Sequence, residues 1–122
     1  MKIVIALGGN ALGETPTEQL KNAKITAKTI LPIIKDGHEV VFTHGNGPQV
    51  GLINLAFTEG NKINDKVYEM GFPECGAMSQ GYIGYHLQNA IQNELNLSRA
   101  AAARTRGSGG AAVRRSTRRR GR

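Results

Sequence analysis

This sequence has little with which to brace a fold. Its 122 residues include one cysteine, no tryptophan, three tyrosines and three phenylalanines. A lone thiol, Cys75, excludes an internal disulfide and fits a reducing, cytoplasmic setting. No apolar run approaches the about 18 residues of a membrane-spanning helix, so no membrane partner is expected. Only Lys2 precedes the first apolar run, which is not a signal-peptide pattern. His38, His44 and His86 lack metal-ligand spacing, so no metal site is expected. No internal repeat is visible. What remains is 16 glycines and an uneven distribution of charge.

The net charge of +7 hides two regimes. Residues 1–97 hold seven lysines, no arginine and all nine acidic residues, a net of −2. Residues 98–122 hold nine arginines, no lysine and no acid, a net of +9. The second stretch is otherwise Ala, Gly, Ser and Thr with one Val. It has almost nothing to bury, so it is expected to be a disordered tail. The chain therefore divides into a lobe at 1–97, long enough for one core, and a basic tail at 98–122.

Within the lobe, residues 2–7 (KIVIAL) form a continuous apolar run, the pattern of a strand buried on both faces. Thr15-Pro16-Thr17-Glu18 starts a helix: Thr15 caps, Pro16 suits the first helical position and Glu18 completes a capping box. Leu20, Ala23, Ala27, Ile30 or Leu31, and Ile34 follow on one face. Pro32 is expected to kink this helix or end it early, and Gly37 to cap it. Residues 39–42 read as a second strand. The strand–helix–strand order implies a right-handed crossover and a parallel pair. Residues 48–58 read as a helix, 60–65 as a loop, and 73–95 as a third helix. Gly76, Gly81 and Gly84 in that helix suggest close packing against a neighbour, since each costs about 1 kcal/mol against alanine.

Two glycine-rich turns carry the functional signal. Gly8-Gly9-Asn10-Ala11 follows the first strand, and His44-Gly45-Asn46-Gly47-Pro48-Gln49-Val50-Gly51 follows the second. Parallel strands point the same way, so both turns should open on one sheet edge, where such folds bind ligands. Glycines let backbone N–H groups approach an anion closely, and Asn10 and Asn46 add donors and acceptors. Familiar nucleotide motifs are absent. Gly8 and Gly13 match the P-loop spacing, but Glu14 stands where its lysine belongs and would repel phosphate. Neither turn carries G-x-G-x-x-G. His44 is read as orienting its loop and Cys75 as a small packing residue. Ser79 has no visible base partner and is not expected to act as a nucleophile. Met78, Tyr82, Tyr85 and Leu87 are read as helix packing.

With the run from Cys75 to Tyr85 (CGAMSQGYIGY), these turns make three ordered motifs that together resemble the carbamate kinases over residues 1–97. The resemblance implies the amino-acid-kinase fold, a three-layer α/β/α sandwich with a mostly parallel sheet, here incomplete. It implies reversible phosphoryl transfer between ATP and carbamate, giving ADP and carbamoyl phosphate, with Mg²⁺ on the nucleotide and a homodimer as the usual assembly. Acetylglutamate kinase and its relatives carry a lysine two positions before the first loop glycine. Ala6 stands there in this chain, as in carbamate kinases. Carried over by motif, Gly8, Gly9, Asn10, Gly45, Asn46, Gly47, Pro48 and Gln49 would line the pocket for carbamate or carbamoyl phosphate. The catalytic lysines and most of the nucleotide site of the family lie beyond the matched region, so no catalytic residue is assigned and the isolated chain is expected to be inactive.

Three readings of residues 98–122 follow: an out-of-frame or wrongly joined segment, a basic arm binding nucleic acid non-specifically at about 10⁻⁴–10⁻⁶ M, or an inert solvated tail. The second makes the alternative function a non-catalytic anion- or nucleic-acid-binding fragment, although the tail lacks interleaved aromatics for stacking. The abrupt joint loss of Lys, Asp, Glu and large apolar residues favours the first. Reading the coding DNA after the Leu97 codon in the other two frames is expected to recover a lysine-bearing kinase continuation. Finding none in either frame would discard the frameshift.

Overall fold

A computed structural model describes residues 1–117, with residues 9, 10 and 105–117 described by their backbone alone. The elements in order are β1 (Lys2–Leu7), α1 (Gly9–Leu12), α2 (Pro16–Lys35), β2 (Glu39–His44), α3 (Gly47–Ile63) and α4 (Phe72–Thr117). The strands pair in parallel, with Lys2 opposite Glu39 and Leu7 opposite His44.

The expected helix start at Thr15 is present in full. Thr15 Oγ1 accepts from the Glu18 N–H, and Glu18 Oε2 accepts from the N–H groups of Thr15 and Glu14. These backbone donors, Thr15 first, hold the Glu18 carboxyl below its ordinary range. The folded state therefore takes up that proton less readily than the unfolded chain. The contribution of Glu18 is present above the ordinary glutamate pKa and fades as pH falls through the lowered folded value. Pro32 does not end α2. It lies in the last turn, and its carbonyl accepts from the Asp36 N–H at 2.9 Å, closing the helix. Gly37 then adopts φ 82°, the left-handed conformation that suits glycine after a helix.

Leu12 from α1, Ala23 and Ala27 from α2, and Ile83, Leu87 and Ala90 from α4 form the core, with Leu7, Tyr82 and Ile91 packed against it. Ala23, Ala27 and Ile30 occupy the expected inward face of α2. Leu20 does not, being 47% exposed. Gln19 is buried in its place because it has a partner across the core, described below.

The strands are half-covered, not enclosed. Ile3, Ile5, Leu7, Val40, Phe42 and His44 are half-buried, and the alternate residues are exposed. Val4 is 69% and Val41 56% exposed. The continuous apolar run thus has only one face against helices, and the three-layer sandwich is not confirmed. Among the described residues the sheet has two strands, so each keeps an open edge.

The helices also run longer than expected. α3 continues past residue 58 to Ile63, and Gly60 lets Val67 pack close; a Cβ there would sit 3.1 Å from Val67 Cγ1. In α4, Gly76, Gly81 and Gly84 face no atom within 4 Å of a built Cβ, which removes the expected close packing among the described residues. α4 crosses residue 97 unbroken and carries helical backbone to Thr117, so the disordered tail is not confirmed. Ala100 to Ala103 with Arg99, Arg104 and Arg106 are strong helix formers, which accounts for the first turns past residue 97; Gly107, Gly109 and Gly110 are poor ones, and propensity does not account for the helical backbone beyond them. Residues 118–122, the remainder of that tail, lie outside the described residues.

Ile83 is 1% exposed at the centre of this small core. Ile83→Ala is expected to cost about 2–5 kcal/mol in urea unfolding, whereas Val41→Thr on the bare face should stay within about 0.5 kcal/mol. Equal losses at both positions would contradict the one-sided core.

Candidate functional site

The parallel register brings the two glycine turns together. With Leu7 opposite His44, both strands end at one edge, and the Gly45 N–H donates to the Leu7 carbonyl at 3.2 Å. The first turn leaves through Gly8, which is extended at φ −64° and ψ 154°, and becomes the single turn α1, with Ala11 N–H donating to Gly8 O at 2.9 Å. Gly9 and Asn10 lie in α1; the Asn10 side chain is outside the described residues. Leu12, 1% exposed, anchors the turn in the core. Gly13 follows at φ 84° and ψ 168°, a conformation essentially reserved for glycine.

The second turn passes through Gly45 and Asn46 into α3. Gly45, Gly47 and Pro48 are exposed, Asn46 is half-buried and Gln49 is buried. His44 Nδ1 lies 3.1 Å from the Gly45 carbonyl, the orienting contact expected of it. The first turn of α3 has N–H groups at Gly47 and Gln49 and none at Pro48, and such groups find no acceptor inside their own helix. The Asn46 side chain does not cap them. The positive end of the 17-residue helix dipole therefore lies at this edge without a side-chain cap.

Buried amides and hydroxyls tie the turns to the helices. Gln49 Nε2 donates to the Gly13 carbonyl at 2.9 Å, joining the second turn to the end of the first. Asn46 Nδ2 donates to Ser79 Oγ at 2.7 Å, and Ser79 Oγ donates to the Gly76 carbonyl at 2.8 Å. Gln19 Nε2 donates to Tyr82 Oη at 2.8 Å. Gln49 is thus a structural tie as well as a turn residue. Among the described residues its Oε1 is buried without a hydrogen-bond partner, as is Gln19 Oε1. Ser79, Tyr82, Gln19 and Gly13 were not assigned to the site from the sequence. The available signal was spacing: Cys75, Ser79, Tyr82, Ile83 and Leu87 follow the 3-and-4 pattern of one helix face.

None of the eight turn residues carries a formal charge, so the edge can attract an anion only through backbone dipoles and amide groups. A groove of about 640 Å³ lies elsewhere, lined by Lys24, Ala90, Asn93, Glu94, Asn96, Leu97 and Ala100, and no turn residue contributes to it. Among the described residues, no three His, Cys, Asp or Glu side chains group as a metal site.

No protein-family profile matches the chain. Individual relatives do. A carbamate kinase of Staphylococcus epidermidis is 57% identical over 95 residues, 78% of this chain and 30% of the relative. One of Staphylococcus haemolyticus is 56% identical over 96 residues, 79% of this chain and 31% of the relative. The solved carbamate kinase of Giardia superposes with a TM-score of 0.73 at 42% identity, covering 80% of this chain and 34% of that one. A Giardia lamblia carbamate kinase solved with AMP-PNP gives 0.71 at 42% identity. These relatives are kinases, and the structure that resembles them is an α/β arrangement with a short parallel sheet. The matched part of this chain belongs to the carbamate kinase family. The chain spans about 30% of the length of the curated relatives it matches.

Gly13 carries the strictest local demand in the site. A Cβ there would lie 2.7 Å from Glu18 Cβ, besides the disfavoured φ. Gly13→Ala is expected to lower stability by about 1–3 kcal/mol, while Gly8→Ala, which meets open space, should stay within about 0.5 kcal/mol. Thermal unfolding of the two variants checks the contrast, and equal melting shifts would refute it.

Proposed function

We propose that this chain carries the carbamoyl-phosphate-binding part of a carbamate kinase and does not complete the reaction alone. The observation that carries this reading is the meeting of two glycine turns at one sheet edge, in a stretch 57% identical to a carbamate kinase. The reaction of such a kinase moves a phosphoryl group between ATP and carbamate. Charge spreads over the phosphoryl oxygens in the transition state, and fixed N–H dipoles aimed at those oxygens stabilise it. Gly8, Gly9 and Asn10 on one side, and Gly45, Asn46, Gly47, Pro48 and Gln49 on the other, form the cradle. The N–H groups of Gly47 and Gln49 face the anion at the positive end of α3. The work of the cradle would be cytoplasmic.

The residues present do not fit a nucleotide with its Mg²⁺. The turns offer no cationic side chain for the β- and γ-phosphates, and the large groove lies apart from them. The sheet face at Val4 and Val41 is bare, and Leu52 at 59% and Leu55 at 55% exposure on α3 are bare as well. These are surfaces that a larger sheet and its helices would cover. A cradle without the groups that position ATP loses both proximity and charge stabilisation, and one missing donor alone costs about 10²–10³ in rate.

The purified chain, supplied with ADP and carbamoyl phosphate, is expected to form no ATP above the protein-free blank. Carbamoyl phosphate should nonetheless shift the backbone amide resonances of Gly8, Gly45 and Gly47. ATP formation would overturn the incompleteness, and unmoved amides would overturn the cradle.

A further inference from the structure

Ser79 is fully buried on the inward face of α4, and its hydroxyl is bonded to Asn46 and to the Gly76 carbonyl. Its hydroxyl has one proton, and that proton goes to the Gly76 carbonyl at 2.8 Å. The oxygen is left as an acceptor only, and Asn46 Nδ2 donates to it at 2.7 Å. The direction of each bond follows. An Asn46 amide turned the other way would set its carbonyl oxygen against a hydroxyl whose proton is already committed. Ser79 therefore selects one of the two amide orientations of Asn46, across 33 residues of sequence.

This matters because of where Asn46 stands. It occupies the cap position of α3, and asparagine there ordinarily accepts from the first-turn N–H groups of its own helix. Here the side chain makes no such bond. It is turned instead toward α4, and among the described residues the N–H groups of Gly47 and Gln49 have no side-chain acceptor. An asparagine free to cap would supply its own oxygen where an anion is meant to bind.

We propose that Ser79 is a positioning residue that keeps Asn46 from capping α3, and so holds the helix terminus open for the phosphoryl oxygens. The inference rests on the carbamoyl-phosphate cradle proposed above. It gives a role to the third sequence motif, to which the cradle proposed above assigns none. Cys75 and Tyr82 flank the contact on the same helix face, with Cys75 Sγ against the Met70 carbonyl at 3.6 Å and Tyr82 Oη accepting from Gln19. α4 is thereby held in register while Ser79 meets the turn.

The test is binding of carbamoyl phosphate to the full chain, followed by amide shifts in a ¹H–¹⁵N spectrum, for wild type, Ser79→Ala, Asn46→Ala and the double variant. Ser79→Ala is expected to weaken binding about threefold to tenfold, the scale of one net hydrogen bond. In the Asn46→Ala background the same change should have no effect, because Ser79 then has nothing to orient. A Ser79→Ala effect of equal size in both backgrounds would overturn the proposal, as would none in wild type. Wild-type chain that does not bind carbamoyl phosphate would overturn the cradle itself, a distinct failure. If Ser79→Ala does not fold, the wild-type spectrum decides. The Asn46 side-chain amide protons should exchange slowly and show cross-relaxation to the Ser79 β-protons; fast exchange without that contact would sink the assignment.

Discussion

Leu7 and His44 face each other at the end of a parallel pair, and one hydrogen bond from the Gly45 N–H to the Leu7 carbonyl continues the ladder into the turn. Every other feature of the site depends on this register. Parallel strands end at the same edge, so two segments separated by 36 residues leave the sheet side by side. A slip of one residue would turn Leu7 away from the core it helps to build and move the first turn out of step with the second. The α2 crossover, a helix of 20 residues fixed at one end by the Thr15–Glu18 capping box and at the other by Gly37, sets that register from outside the sheet.

The site is organised by polar groups placed inside the protein. Gln19, Gln49 and Ser79 are each at most 2% exposed, and each has a hydrogen bond to a distant segment. Buried polar atoms are tolerated when they are paired, and each pair then fixes one geometry where apolar packing would accept several. The Gly13–Gln49 contact sets the distance between the turns, and the Asn46–Ser79 contact sets the aim of the second turn. The buried oxygens of Gln19 and Gln49 have no partner among the described residues, and a buried acceptor left so carries a desolvation cost. The apolar core that bears this cost is small, with alanine at three of its six central positions.

The same economy explains the exposed face. A two-stranded sheet covered on one side leaves Val4 and Val41 bare, and each strand keeps an open edge. Relatives about two and a half times as long have the chain length to cover such a face, and the likeness to them covers the N-terminal 78% of this chain. α4 crosses the end of that stretch without a break. Helix propensity is local and continues wherever the residues permit it. Relatedness to a folded kinase does not follow from helicity.

Local chemistry was legible in the sequence. The strands at 2–7 and 39–42, the Thr15 capping box, the inward face at Ala23, Ala27 and Ile30, and the two glycine turns all depend on neighbours a few residues away. Their side-chain types declare them, and the three motifs were enough to indicate the kinase family. Misreadings occurred where distant packing decides. Pro32 was tolerated because it fell in the last turn. Leu20 gave way to Gln19 because Tyr82 waited across the core, and Gly76, Gly81 and Gly84 meet no neighbour among the described residues. The role of Ser79 was hidden for the same reason. By itself the sequence determined which segments turn, cap and extend, because those choices are governed by backbone dihedrals and near-neighbour hydrogen bonds. Only the tertiary structure decided which buried donor meets which acceptor, because such pairs form across tens of residues and exist only once helix and strand are packed.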